Sequence, residues 1–145
     1  MLSTTAAVAV AATWLWLGMV LAISFLEAPL KFRAPGVDLR TGLAIGRVVF
    51  RALNAVEAVL AAVVLILVSV TTVATGGEAL AVAAVVVLAL QLVGVRPALT
   101  RRSNAVLAAT TGADAPRSRA HLWYVALELI KVGVLVALGV VLLHG

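Results

Sequence analysis

Four runs of almost uninterrupted apolar residues, about 6–26, 52–73, 79–95 and 122–143, dominate this 145-residue chain. Each is close to the roughly 20 residues that a helix needs to cross about 30 Å of hydrocarbon. The chain is 64% hydrophobic and 12% charged, with a mean hydropathy of +1.20. A soluble domain is nearer 45–50% apolar and about 25% charged. So much apolar surface does not fit inside one soluble core of this size. Lipid is therefore the expected solvent for most of the chain. Helices are the expected form, because a backbone group left unpaired in hydrocarbon is costly. Barrel strands are excluded by the length of the runs and their lack of strict alternation. The fold class is all-α: a polytopic membrane protein forming a single domain, a four-transmembrane-helix bundle.

Charge sets the direction of the spans. Ten of the eleven Lys and Arg residues fall in two stretches. Lys31, Arg33, Arg40, Arg47 and Arg51 lie between the first two runs; Arg96, Arg101, Arg102, Arg117 and Arg119 lie between the last two. Basic links face the cytoplasm by the positive-inside rule. Both termini and the Gly76-Gly77 turn then face outward, and the cytoplasmic (inner) membrane is the expected location. The Ala-, Val- and Arg-rich composition suggests a bacterial source. The net charge of +5 is not read as a nucleic-acid signal, since basic links beside apolar runs are the ordinary orientation signal. The partners this implies are the lipid bilayer and anionic lipid headgroups at the basic links. The first run lacks the basic n-region of a secretory signal and is longer than a usual signal core, so a retained span is expected. Cleavage near Ala12 is the alternative.

The links carry local structure of their own. Pro29 and Pro35-Gly36 are expected to break the chain after the first span. Asp38 can cap a helix beginning at Leu39. Arg40, Arg47 and Arg51 share one helical face, as in an amphipathic cytoplasmic helix running into the second span. Gly42 and Gly46 form a small-xxx-small spacing. Gly76-Gly77 closes a short hairpin between spans two and three. Thr100–Ala109 can prolong the third helix, and residues 110–119 read as loop. No internal repeat is evident.

Polar residues inside the runs are the candidate site. His121, Tyr124, Glu128 and Lys131 step by three, four and three, which places them on one helical stripe. A charge near the bilayer midplane costs at least about 2.5–3.5 kcal/mol, so Lys131 is expected to face protein and be paired. Glu57 and Asn54 on span two, Gln91 on span three, and Glu27 with Ser24 at the end of span one lie at comparable depths. Glu57, Glu128 and Lys131 form the expected charged core, with Asn54, Gln91, His121 and Tyr124 around it. The competing reading is structural: a paired polar group fixes helix packing. Trp14, Trp16 and Trp123 read as interfacial anchors.

Other chemistry is poorly supported. There are no cysteines, which excludes disulfides and thiolate metal sites. No HExxH, Gly-rich phosphate loop or nucleophile elbow occurs. His121 and His144 belong to opposite membrane faces and cannot share a metal within one monomer. No catalytic residue, metal or cofactor is expected.

The layout resembles the small four-helix membrane family that includes human transmembrane protein 205 and bacterial membrane proteins of unknown function. The similar features are Trp16-Leu17-Gly18, then Ala28-Pro29 and Phe32, then Arg96-Pro97 with Arg101 or Arg102, then a basic approach to His121. Glu57, Glu128 and Lys131 match no motif of that family. The resemblance implies an integral membrane protein without assigned enzymatic activity, tied to transport or drug tolerance.

The residues themselves point to transport or proton-linked translocation of a small solute or ion, with Glu57 and Glu128 binding the cation or proton and Lys131 as counter-charge. Four spans are few for a monomeric carrier, so a homo-oligomer or a partner membrane protein is expected. The alternative is a non-catalytic membrane scaffold or accessory subunit. A third reading places a lipid-soluble ligand such as a quinone near His121 and Tyr124.

Overall fold

The computed structural model describes residues 2–72, 75–108 and 119–144. All regular structure among them is helical. Four helical spans are long and apolar enough to cross a membrane: α1 (Thr4–Arg33), α2 (Leu39–Val70), α3 (Gly77–Ala108) and α4, which runs Arg119–His144. They pack in a ring in the order α1, α2, α3, α4 and back to α1. One end of the ring carries the basic residues; the other carries the chain termini and the Gly76-Gly77 turn. We refer to these as the basic end and the terminal end.

α1 and α2 start where a side chain accepts from one of the helix's free N–H groups. Ser3 Oγ accepts from the Ala6 N–H at 3.1 Å. Asp38 accepts from the Thr41 N–H at 2.7 Å and so starts α2 at Leu39. Gly76 adopts φ +96°, a left-handed turn before α3 that favours glycine.

α2 is one continuous helix of 32 residues, about 48 Å long. That is longer than the roughly 30 Å of a hydrocarbon layer, and at the basic end its first turns run beside the corresponding turns of α3. Arg47 of α2 hydrogen-bonds Asn104 of α3 there. Gly42 and Gly46 are buried on α2, where the end of α1 folds over them. A Cβ on Gly42 would overlap the Phe32 ring, and one on Gly46 would lie 2.8 Å from Lys31 Nζ.

Pro35-Gly36 breaks the chain as the sequence suggests, but Pro29 does not. The chain leaves helix only after Arg33, at Ala34–Val37, with Gly36 at φ +81°. Pro29 and Pro97 stay within helix. Each lies two residues beyond a π-helical stretch, Leu21–Glu27 in α1 and Gln91–Val95 in α3. Proline lacks an N–H and its ring clashes with the carbonyl four residues earlier. Widening the preceding turns relieves that conflict without ending the helix. The same device recurs in two helices that share no sequence motif.

The interior divides in two. Toward the terminal end the core is apolar: Ala9, Ala12, Val64, Val68, Ala81, Ala84, Leu135, Leu138 and Leu142. The outward faces are apolar as well. Val59 is 62% exposed, whereas Val64 on the same helix is 1% exposed. Toward the basic end, buried polar side chains replace the aliphatic core.

Two outcomes follow from these contacts. Gly42→Ala should lower stability by about 1–3 kcal/mol, because the added methyl enters the Phe32 ring. Thermal unfolding in detergent should show the loss, and Phe32→Ala in the same chain should recover much of it. The Asp38 carboxyl is held below its ordinary value of 3.8, chiefly by the hydrogen bond from the Thr41 backbone. The cap therefore contributes above that value and is lost as the pH falls through the lowered one. Amide exchange at Thr41 relative to its intrinsic rate should rise in acid. Asp38→Asn, an uncharged cap, should remove that pH dependence.

Candidate functional site: a buried charged centre

Six side chains from all four helices meet inside the basic half of the bundle. Trp16 and Ser24 come from α1, Glu57 from α2, Gln91 from α3, and Glu128 and Lys131 from α4. α2 and α4 are diagonal in the ring, as are α1 and α3, so these side chains close the centre across both diagonals. Glu57, Gln91, Glu128 and Lys131 are each at most 2% exposed.

Lys131 is the hub. Its Nζ lies 2.5 Å from Glu57 Oε1 and 3.0 Å from Glu128 Oε2. It also donates to Gln91 Oε1 at 2.8 Å. Three acceptors thus match the three donors of the ammonium. Gln91 closes a ring by donating from Nε2 to Glu128 Oε2. Ser24 Oγ donates to Glu128 Oε1 at 2.6 Å. Trp16 Nε1 donates to Glu57 Oε1 at 2.9 Å.

The local backbone explains how these groups reach the centre. Ser24 lies within the π-helical stretch of α1, and Gln91 opens that of α3. Both donate to the same carboxylate, that of Glu128. Glu128 and Lys131, three residues apart, project from one face of α4.

The two carboxylates are unequally served. Both oxygens of Glu128 have partners. Glu57 Oε1 has two, but its buried Oε2 has none among the described residues. The centre also holds two carboxylates against one ammonium, so full ionisation would leave one uncompensated negative charge. Such a charge in a low-dielectric interior is costly.

The remaining sequence candidates occupy other positions. Asn54, one turn from Glu57, is 7% exposed, and its amide makes no hydrogen bond to another described residue. Tyr124 lies at the basic rim of the centre, edge-on to Phe50 with ring centroids 5.9 Å apart. Its buried hydroxyl has no hydrogen-bond partner among the described residues. His121 is exposed at the start of α4 and is not part of the buried centre. Glu27 pairs instead with Lys31 at 3.3 Å, near the surface. Lys31 Nζ also lies 5.3 Å from the Phe50 ring centroid, a cation–π distance. Arg117 and most of the 110–119 link lie outside the described residues.

Trp16 was not anticipated as a partner of the centre. A tryptophan in an apolar run reads as an interfacial anchor, but this one is fully buried and binds Glu57. The signal was its depth: it lies near the middle of the 6–26 run, whereas anchors cluster at the ends.

Among the described residues, no group of three or more His, Cys, Asp or Glu side chains is placed to hold a metal ion. A pocket of about 300 Å³ opens at the terminal end, lined by Leu2, Ser3, Thr5, Ala6, Val70, Thr71 and Thr72. The apolar half of the core separates it from the charged centre. No family model, curated protein or solved structure matches the chain.

Gln91 joins Lys131 to Glu128, so its removal should loosen the whole centre. Gln91→Leu keeps roughly the same side-chain size but removes both bonds. Thermal unfolding in detergent should show a loss of about 1–2 kcal/mol, the upper range for polar contacts between membrane helices.

Proposed function

We propose that this is a multi-pass protein of the cytoplasmic membrane that moves protons, alone or linked to a small solute or ion, through the Glu57–Lys131–Glu128 centre. Its basic end faces the cytoplasm and its termini face outward, as the positive-inside rule requires. The observation that carries the reading is the charge count of the buried centre: two carboxylates and one ammonium. A structural ion pair needs equal numbers. The extra carboxylate makes the centre one proton short of neutrality, which is the condition for taking one up and giving it back. Ionisable groups deep in membrane helices mark proton and ion pathways in many proteins.

The proton is the species best suited to this site. The charged side chains are enclosed to within 2% of full burial, and the carboxylates are already bridged by side chains rather than spread to encircle a larger ion. Tyr124 lies at the basic rim of the centre and Ser24 within it, where a hydroxyl can pass a proton inward. The Ala, Val and Leu core toward the terminal end is the barrier that a translocation cycle must open. Anionic lipid headgroups at the basic links fit the same orientation. A second copy of the chain, or a partner membrane protein, would supply the moving interface that four short spans lack.

The second reading is a scaffold or accessory subunit in which the centre only fixes helix register. The saturation of Glu128 by Ser24, Gln91 and Lys131 favours it. Proton flux in liposomes separates the two. With an imposed pH gradient, wild-type protein should carry flux, and Glu57→Gln or Glu128→Gln should abolish it while leaving the folded fraction unchanged. Absence of flux from correctly folded wild-type protein, or flux unaffected by both substitutions, would overturn the transport reading.

A further inference from the structure

The two carboxyls of the centre are not equivalent, and the difference assigns them separate tasks. This inference rests on the proton-linked reading and names the atom that carries the proton.

Glu128 already has a donor on each oxygen. Ser24 donates to Oε1, and Gln91 and Lys131 donate to Oε2. Three of its roughly four lone-pair sites are thus occupied, and the free one is on an oxygen already engaged by Ser24. Glu57 is built differently. Trp16 and Lys131 both serve Oε1, and Oε2 is buried with no partner among the described residues. A naked carboxylate oxygen in this interior is the most costly atom of the centre. Adding a proton there disturbs no existing bond. It also brings the centre to neutrality.

A buried hydroxyl then needs an acceptor. Asn54 lies one turn toward the basic end on the same helix, nearly buried, and its amide is unused by the other described residues. Its carbonyl is the group available for the hydrogen of protonated Glu57.

We propose that Glu57 Oε2 is the proton-binding atom of this protein, that Glu128 and Lys131 form a fixed ion pair beside it, and that Asn54 accepts the hydrogen of the protonated form. One O–H bond forms on uptake from water, and the same bond breaks on release; the charge of the centre alternates between −1 and 0. The groups facing Glu57 are Lys131, Glu128 and Tyr124 from α4, Trp16 from α1, Gln91 from α3 and Asn54 from its own helix. Lys131 is the only cation among them, and it is shared with Glu128. Arg96 lies near enough to act on Tyr124, at the rim.

Infrared spectroscopy of the protein in lipid membranes tests this directly, because a protonated carboxyl has a C=O stretch distinct from that of a carboxylate. Wild-type protein should show such a band for a buried carboxylic acid, diminishing as the pH is raised. Glu57→Gln and Glu128→Gln should each remove it, since either leaves one carboxylate for one ammonium, whereas the charge-conserving Glu128→Asp should leave its frequency in place. Glu57→Asp should shift it, and Asn54→Leu should move it to the frequency of a carboxyl without an acceptor. The other four carboxyls, Glu27, Asp38, Glu78 and Asp114, are common to all samples and cancel in the comparison. A shift of the band in Glu128→Asp but not in Glu57→Asp would overturn the assignment, as would its absence from wild type at every pH. The assignment and the transport reading fail separately. Flux with the band on Glu128 sinks only the assignment, and a Glu57 band without flux sinks only transport.

Discussion

Lys131 holds the basic half of this bundle together. Its ammonium is fully buried, so it must be neutralised locally, and its two carboxylate partners lie on different helices. Glu128 is its neighbour on α4, but Glu57 reaches it from α2, diagonally across the ring. That second contact is a long-range constraint: α2 and α4 must keep their rotation and depth for it to form. Gln91 and Ser24 then fix α3 and α1 to the same centre through Glu128. In a lipid environment, where burying aliphatic side chains adds little driving force between helices, such polar contacts define how the spans fit together.

The prolines make this centre possible. An unbroken α-helix repeats its side-chain directions every 3.6 residues. The π-helical stretches ahead of Pro29 and Pro97 shift that register in α1 and α3. They do so where Ser24 and Gln91 point at Glu128. Each helix continues past its proline into the basic end, where Phe32 and Lys31 pack onto Gly42 and Gly46. Toward the terminal end no such adjustment occurs, and small residues such as Ala9, Ala81 and Ala84 let the helices approach closely around an apolar core. The two halves thus differ in what holds them together, buried polar contacts on one side and close apolar packing on the other.

Much of this was legible in the sequence, because each feature had a local cause. Run length and charge placement revealed four apolar helices, and Asp38 located the start of α2. The three- and four-residue steps on α4 placed Glu128 and Lys131 on one face. The same steps also included His121, which lies where α4 leaves the bundle, so periodicity alone overstated the site by a turn. Glu27 looked like part of the cluster from its depth, yet the nearby Lys31 takes it up. Pro29 read as a break because a single sequence does not show whether the surrounding packing can absorb a proline. Trp16 was missed because residue type outweighed position in the reading. The pairing of Glu57 with Lys131 was a matter of depth matching, and only the three-dimensional arrangement shows which oxygen is left over.

The central claim is that Glu57 and Lys131 act as one coupled unit across the bundle. A double-mutant cycle in thermal or denaturant unfolding measures that coupling. Lys131→Met alone leaves two carboxylates without their cation and should cost about 3–5 kcal/mol. Adding Glu57→Gln removes one of those carboxylates, so the double variant should be more stable than Lys131→Met alone, with a coupling of about 1–3 kcal/mol. Additive losses, with the double variant the least stable of all, would contradict the account, since they would mean that the two residues do not meet in the folded protein.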